Sequence, residues 1–402
     1  MQKRSLFKMI FGNKSDSGRD YTKVELLGDY DARFSSISNE VYDNKVARQC
    51  IDRLATHTAK LMPKHIKETS NVQVKGDINF LLSHKPNPLN NTYDFLYRIR
   101  TQYESQSNAY VFIDKDREGN IIGFYPIISR EEELLEDKSG RLYLKFKFVD
   151  NKIYYARYSS IIHLRKFYNK NDFFGESNSV LKTDLETSVV SNEGISNAIK
   201  STANLRGILK YTNAFLKDED IEASQKRFVD AFVNRRNRSG IAVLDGKADF
   251  QSVKADPIML DKDQLKLVNS NIYDYFGVSE KIINNSYTNA EWNAFYEGAI
   301  EPFAIQMSYE FTNKIFTDDA IRQGNQIIFS TNRLQYASLE NKINLVKTLA
   351  SYGMLKVDEA REVIDLPILG GEAGNKILQS LNNIDTTIAN DYQGGNNNGE
   401  SN

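Results

Sequence analysis

The sequence predicts an α+β protein in which a mixed α/β region is joined to long helices and small inserts, and three observations carry that prediction. Helical stripes recur at three- and four-residue steps over several long segments. Short runs of alternating apolar and polar residues cluster between Ala109 and Leu164, and a polar insert separates two strongly amphipathic stretches within Tyr273 to Phe316. At 402 residues, with 40% hydrophobic and 26% charged residues, the chain has the composition of a folded protein with room for more than one core.

Asn44 to Leu61 places Val46, Cys50, Ile51, Leu54, Ala55, Thr58 and Leu61 on one helical stripe with Arg48, Asp52, Arg53 and Lys60 off it, a core helix that buries Cys50. Pro86 and Pro88 bracket Asn87 in a turn that cannot continue a helix, and Asn91 or Thr92 then caps a helix through Tyr103. Ala109 to Ile128 reads as a β-hairpin joined at Asp114 to Asn120. β-like alternation returns in Arg141 to Phe148 and Ile153 to Tyr158, followed by an apolar strand from Ile161 to Leu164 and a loop through Phe174 and Gly175. A long helix is expected from Ser179, with Leu181, Leu185, Val189, Ile195 and Ile199 among its apolar positions and Gly194 weakening it. Arg206 to Tyr211 reads as a strand, Asp218 to Asn234 as a helix and Gly240 to Val253 as a hairpin turning at Asp245-Gly246. Asp261 to Phe276 is a second long helix, with Leu265, Val268, Ile272, Tyr275 and Phe276 on its apolar side.

Asn284, Asn285, Ser286, Thr288 and Asn289 favour turns and caps over helix interior, because their side chains compete for backbone hydrogen bonds. A new helix is expected from Glu291, with Trp292, Phe295, Ala299, Phe303, Met307 and Phe311 on one face and a kink at Pro302, which lacks a backbone donor. Gln326 to Phe329 reads as a strand, and Ser338 to Tyr352 as a helix ending at Gly353. Val357 to Ile364 reads as a short helix before the LPILGGEAGN turn, and the glycine- and asparagine-rich tail from Asn390 as disordered.

Charge and motifs narrow the chemistry. The 52 basic and 53 acidic residues nearly cancel to a formal charge of -1, which disfavours tight sequence-specific gripping of nucleic acid. A single cysteine excludes an internal disulfide framework and fits a reducing compartment. Lys8 interrupts the apolar stretch Leu6 to Phe11 and no small-residue cleavage site follows, so the N-terminus reads as cytoplasmic, and no apolar run is long enough to span a bilayer. The acids of DKDREGN (Asp114 to Asn120) read as a hairpin turn, not a calcium loop, since Tyr125 stands where that loop needs an acid. His57, His65, His84 and His163 are scattered without zinc-site spacing and read as packing or surface residues. Neither a Gly-x-x-x-x-Gly-Lys-Ser/Thr phosphate loop nor a Gly-x-Ser-x-Gly elbow occurs, and Glu131-Glu132-Glu133 reads as a solvated charge run. No catalytic residue, cofactor or metal is expected.

The segments QCIDRLATHTAKL, HKPNPLNNTYDF, SNAYVFIDKDREGNIIGFYPI, IIHLRKF followed by FFGES, IAVLDGKADFQSV, DYFGVSEKII and YGMLKVDEAREVIDLP, in this order, resemble the portal proteins of tailed bacteriophages, the head-to-tail connectors through which DNA enters and leaves the capsid. The resemblance covers most of the chain and is weakest over residues 1–40. It implies a portal-type fold: an N-terminal arm (1–40), the first part of a mixed α/β wing (41–177), a stem helix (178–205), a small αβ clip (206–258), a second stem helix (259–278), a tunnel loop (279–291), a kinked helix with the second part of the wing (292–336), a short helical crown (337–384) and a disordered tail (385–402).

The same resemblance implies a non-enzymatic subunit of a closed ring of roughly a dozen copies, placed at one capsid vertex in the virion and assembled in the host cytoplasm. Its implied partners are its own copies, double-stranded DNA without sequence preference, the terminase large subunit, a head-tail adaptor, and the major capsid and scaffold proteins. Lys281, Asn284, Asn285, Ser286, Tyr287, Thr288 and Asn289 are then expected to form a channel constriction, polar enough to touch phosphates and sugars without reading bases, with Tyr287 packed on Trp292. Lys226, Arg227, Arg235, Arg236 and Arg238 in the clip read either as a solvated helix end or as a docking surface for the motor or adaptor. The alternatives are a nucleic-acid-processing enzyme, which the missing motifs disfavour, and another ring-shaped structural adaptor of a phage-like particle, which the chain length disfavours.

Overall fold

The structure, a computed structural model, describes residues 21–23, 33–35, 38–68, 72–203, 207–211, 222–223, 226, 248–252, 262–330, 339–364 and 366–379. Two short strands, β1 (Tyr21–Lys23) and β2 (Arg33–Ser35), precede α1 (Ser38–Asp43) and α2 (Lys45–Thr58). Asn44 separates the two helices and caps the second, its side-chain oxygen accepting from the Val46 and Ala47 N–H groups at 2.9 and 3.1 Å. The stripe expected for α2 is the buried one, and burial pushes the Cys50 thiol up to about 12, which leaves it an unreactive core residue. β3 (Met62–Lys67), β4 (Val72–Gln73) and α3 (Asp77–Ser83) follow. Asn87 then closes the double-proline turn by accepting from the Leu89 and Asn90 N–H groups, both at 2.9 Å, and α4 (Thr92–Gln106) starts beyond it.

β5 (Asn108–Lys115) and β6 (Ile121–Ile127) form the expected hairpin. The Asp116 carboxylate accepts from the Glu118 and Asn120 N–H groups at 2.9 and 2.8 Å, so its oxygens serve the turn itself. β7 (Glu131–Asp137), β8 (Leu142–Lys147), β9 (Ile153–Arg157) and β10 (Ile161–Arg165) complete the strand-rich region. A 3₁₀ turn, Asn178–Leu181, leads into the long α5 (Lys182–Ala203). β11 (Gly207–Tyr211) pairs with β12 (Ala248–Ser252). Glu222, Ala223 and Lys226 are helical, whereas the rest of the helix expected over 218–234 and the turn at Asp245-Gly246 lie outside the described residues.

α6 (Lys262–Phe276), a one-turn α7 (Glu280–Ile283) and α8 (Asn289–Phe295) run through a π-helical turn, Tyr296–Ile300, into α9 (Glu301–Ile315). That π turn is the physical form of the kink expected from Pro302. A proline ring lacks the N–H for the bond to Gly298 and collides with its carbonyl, and one extra residue in the preceding turn removes both conflicts. After α10 (Asp318–Arg322) and β13 (Asn325–Ser330) come α11 (Leu339–Ser351), β14 (Tyr352–Lys356), α12 (Val357–Val363), α13 (Gly371–Asn375) and β15 (Ile377–Gln379). Gly353 takes the left-handed φ of 68° just past the end of α11, as the sequence predicts for a helix stop.

The chain divides into two compact units, Met1–Thr58 with Asp94–Phe303, and Ala59–Tyr93 with Ala304–Asn402. In the first, the antiparallel order β1-β7-β8-β9, with β2 also on β7, lies with a second antiparallel sheet β10-β5-β6. Their shared core is aromatic: Tyr110, Phe146, Phe148, Phe173 and Phe174 pack with Ile127, Leu134, Leu144 and Ile161. Helix α2 packs on α6 and on the π turn in the same unit. In the second unit β13-β3-β4 form an antiparallel sheet, Phe311 of α9 meets Phe329 of β13 at 4.9 Å, and β14 pairs with β15.

One expectation is overturned. Glu131-Glu132-Glu133 is not a solvated run but the start of β7, a strand that pairs on both sides, and Glu132 and Glu133 are buried. Its acids are tolerated because lysines stand opposite them on β8: Lys145 meets Glu133 at 2.7 Å and Lys147 meets Glu131 at 3.3 Å. Among the described residues Glu132 has no such cation and accepts only from the Ser129 hydroxyl, at 2.5 Å, so burial pushes its carboxyl up to about 7. The folded protein therefore keeps a proton on Glu132 that the unfolded chain has lost above about 4.5, and stability falls as pH rises from there through about 7. Glu132→Gln keeps an acceptor for Ser129 and removes the charge. It is expected to gain on the order of 3 kcal/mol over the native chain at pH 8 and little at pH 5. Urea unfolding at both pH values checks this, and equal stability of the two proteins at pH 8 would show that the carboxyl ionises freely.

Candidate functional site

The polar insert is built as a short bracket between two helices. α6 ends at Gly277, whose φ of 65° needs a residue without a β-carbon penalty, and Val278 turns inward and is buried. The Ser279 hydroxyl accepts from the Ile282 N–H at 3.4 Å and starts α7, so part of the segment expected as loop is one helical turn. Ile282 and Ile283 drive that turn, since both are buried and the turn is the shortest way to set two neighbouring apolar side chains inward. Asn285 then takes a left-handed φ of 54°, which asparagine tolerates better than other side chains, and the Ser286 N–H donates to the Lys281 carbonyl at 2.9 Å.

Thr288 caps α8, which therefore begins at Asn289, two residues before the Glu291 start expected from sequence. A capping box explains the difference: Glu291 N–H donates to the Thr288 hydroxyl at 3.3 Å while Thr288 N–H donates to the Glu291 carboxylate at 2.8 Å. Glu291 also forms an ion pair with Lys281 across the base of the loop. Its carboxyl is held down at about 2, first by Lys281 and then by the Thr288 N–H and hydroxyl. Tyr287 is half-buried and its ring lies 5.5 Å from Trp292 at 29°, the stacking expected from sequence. Trp292 in turn meets His57 of α2 edge to face with ring centres 4.7 Å apart, which anchors the bracket to the core.

All of Lys281, Asn284, Asn285, Ser286, Thr288 and Asn289 are exposed, and with Tyr287 they occupy this single bracket. Glu291 was not among the residues predicted for the site. Its signal was present in the Thr288-x-x-Glu291 spacing, which is the sequence mark of a capping box. Of the basic residues expected as a second surface, Lys226 is helical and exposed, and Arg227, Arg235, Arg236 and Arg238 lie outside the described residues.

The frame behind the bracket is a buried polar network. The Tyr275 hydroxyl on α6 donates to Asn178 Oδ1 at 2.6 Å, and Asn178 Nδ2, at the start of the turn into α5, donates to the Glu104 and Ser105 carbonyls at 2.8 and 3.0 Å. The Glu104 carboxylate sits between Arg100 at 2.7 Å and Lys166 at 2.6 Å. The two long helices are thus tied to the last turn of α4 at their adjoining ends. The histidines have packing or surface roles: His163 lies 2.9 Å from Asn108 Oδ1 and stacks on Tyr110, His65 lies 3.1 Å from Asn325 Oδ1, and His84 stacks over exposed Phe80. Among the described residues no group of three His, Cys, Asp or Glu could hold a metal ion, and no helix is long and apolar enough to cross a membrane.

Residues 45–365 match the protein family described as "Phage portal protein". A relative named "Probable portal protein", from Lactococcus phage p2, is 22% identical over 96% of this chain and 95% of its own. Among solved structures, a chain from the neck of an empty gene transfer agent (GTA) particle, computed with C6 symmetry, shares 15% identity with a TM-score of 0.59 and covers 83% of this chain and 93% of its own. A chain from the neck of a native GTA particle, computed with C12 symmetry, shares 16% identity with a TM-score of 0.57 and covers 90% and 99%.

Proposed function

We propose, since this chain belongs to the phage portal protein family, that it is a non-enzymatic subunit of a closed ring at one capsid vertex of a virion, through which double-stranded DNA is packaged and ejected. The C6 and C12 symmetries under which the similar neck chains were solved support a ring of about twelve copies, because one heterologous contact repeated with the right rotation closes a cycle. The observation that carries the channel role is the bracket between α6 and α8. It offers exposed amide and hydroxyl groups on a rigidly anchored turn, and its one lysine is already neutralised. Such groups can touch phosphates and sugars of any sequence, while strong cationic contact would resist sliding. On this reading α5 and α6 are the stem around the bore, the strand-rich region the wing, the segment with β11 and β12 the clip, and α11 to β15 the crown. The terminase large subunit and a head-tail adaptor would dock on the ring, which itself hydrolyses nothing.

The test is the rate at which a reconstituted terminase fills procapsids carrying the ring. Asn284→Lys with Asn285→Lys is expected to leave the ring intact by negative-stain imaging and to slow packaging several-fold at low salt, with recovery as salt rises. Each added phosphate contact should steepen the log–log salt dependence of the ring's DNA affinity by about 0.9. An unaltered rate at low salt would mean that the bracket does not face DNA, and a protein that never forms a ring would remove the portal role itself.

A further inference from the structure

We infer that Glu291 is a positioning residue that silences Lys281 within each subunit, so that the lysine reaches a DNA phosphate only by exchanging one anion for another. This rests on the channel reading above. Between Ser279 and Trp292 the charged side chains are Glu280, Lys281 and Glu291, which makes Lys281 the sole cation of the bracket. The two oxygens of Glu291 have separate tasks. Oε1 meets the Lys281 ammonium, while Oε2 accepts from the Thr288 N–H at 2.8 Å and the Thr288 hydroxyl at 3.0 Å. The carboxylate is therefore fixed by the helix start and cannot follow the lysine away. Lys281 is fixed as firmly at its backbone, between the buried Ile282 and Ile283 and the Ser286 N–H on its carbonyl, so only the flexible stem of its side chain is free to swing.

The pair is placed to be broken. The Lys281 side chain is 58% exposed and that of Glu291 33%, and an ion pair that open to water holds weakly and is screened by salt. A passing phosphate offers the ammonium the same charge and hydrogen-bond chemistry, and each departure of that phosphate returns the lysine to Glu291. Contact with DNA is thereby made brief, which suits a surface past which the duplex must slide. Asn284, Asn285 and Ser286 keep the moving backbone at hydrogen-bonding distance without adding net charge.

Glu291→Gln isolates the electrostatic role, because glutamine at this position still completes a capping box and only the charge is lost. In the packaging assay with linear double-stranded DNA, Glu291→Gln is expected to slow translocation several-fold at low salt and to steepen its salt dependence. In a Lys281→Met background, Glu291→Gln should add no slowing relative to Lys281→Met alone. Thermal melting followed by circular dichroism should place Glu291→Gln within a few degrees of the native protein. If Asn284→Lys slows packaging and Glu291→Gln does not, Glu291 has no such role while the channel reading stands. A slowing by Glu291→Gln that persists in the Lys281→Met background would assign the effect to loop shape and overturn the inference. If neither variant changes the rate at any salt, the channel reading falls and this inference with it.

Discussion

Replacing Glu104 by alanine is expected to lower the stability of the subunit by about 3–5 kcal/mol, because it leaves the buried Arg100 and the largely covered Lys166 without their common partner. The Glu104 side chain is 2% exposed, Arg100 5% and Lys166 13%, and among the described residues this carboxylate is the only acid on both cations. Burial alone would push this carboxyl up, yet Lys166 and then Arg100 hold it below its usual range. The cations also lie against aromatic faces, Arg100 at 4.3 Å from the Phe303 ring centre and Lys166 at 4.7 Å from that of Phe167. Those faces attract charge too weakly to replace a carboxylate. Replacing all three residues by methionine or leucine should cost less than removing Glu104 alone, since no buried charge is then stranded. The pH sign is opposite to that of Glu132. Stability contributed by Glu104 is present above its unfolded value near 4.5 and is lost as pH falls through its lower folded value. Denaturant unfolding of the single and triple variants measures this, and a loss below about 1 kcal/mol for Glu104→Ala would show that solvent reaches the network.

Gly175→Ala is expected to be as damaging, by about 3 kcal/mol or more, although it adds one methyl group. A β-carbon at this position collides with the backbone carbonyl oxygens of Ser107 and Lys166 at once. Neither can give way. The Lys166 N–H donates to the Ser107 carbonyl at 2.8 Å, and Asn108 clamps Gly175 from the other side, accepting from its N–H at 2.9 Å and donating to its carbonyl at 3.2 Å. The site joins the end of α4, β10 and the loop into α5, so the strain would spread to the frame that carries the bracket. Soluble yield and melting temperature check it, and a Gly175→Ala protein that melts with the native one would refute the close approach.

The parts of the fold legible in the sequence are those whose signal is local. The stripe of α2, the Asp116 hairpin, the Asn87 turn and the helix stop at Gly353 each follow from residues within a few positions of one another. β7 is not legible, because what makes three consecutive glutamates acceptable in a sheet is a pair of lysines on another strand. β3 is hidden for the same reason: MPKHIK alternates weakly and becomes a strand by pairing with β13, whose Asn325 is 260 residues from His65. Within the site, the exposed amides and the Tyr287–Trp292 stack follow from composition and spacing. The one-turn α7 is written only in the Ile282-Ile283 doublet, too short a signal to outweigh the polar residues after it.

The pairing of β1 and β2 on β7 has a consequence for how such a subunit multiplies. β1 covers Leu135 to Asp137 and β2 covers Glu131 to Glu133, so the side of β7 away from β8 is occupied by the chain's own N-terminal segment. Left bare, that row of amides and carbonyls would be an edge able to recruit a strand from any other molecule. A protein that associates through one set of contacts cannot also offer a second, open-ended one, because edge-to-edge addition has no reason to stop and would draw subunits into aggregates. β1 and β2 thus act as a selvedge: they cover the seven-residue side of β7 with two strands of three residues each and leave association to the surfaces that can close on themselves.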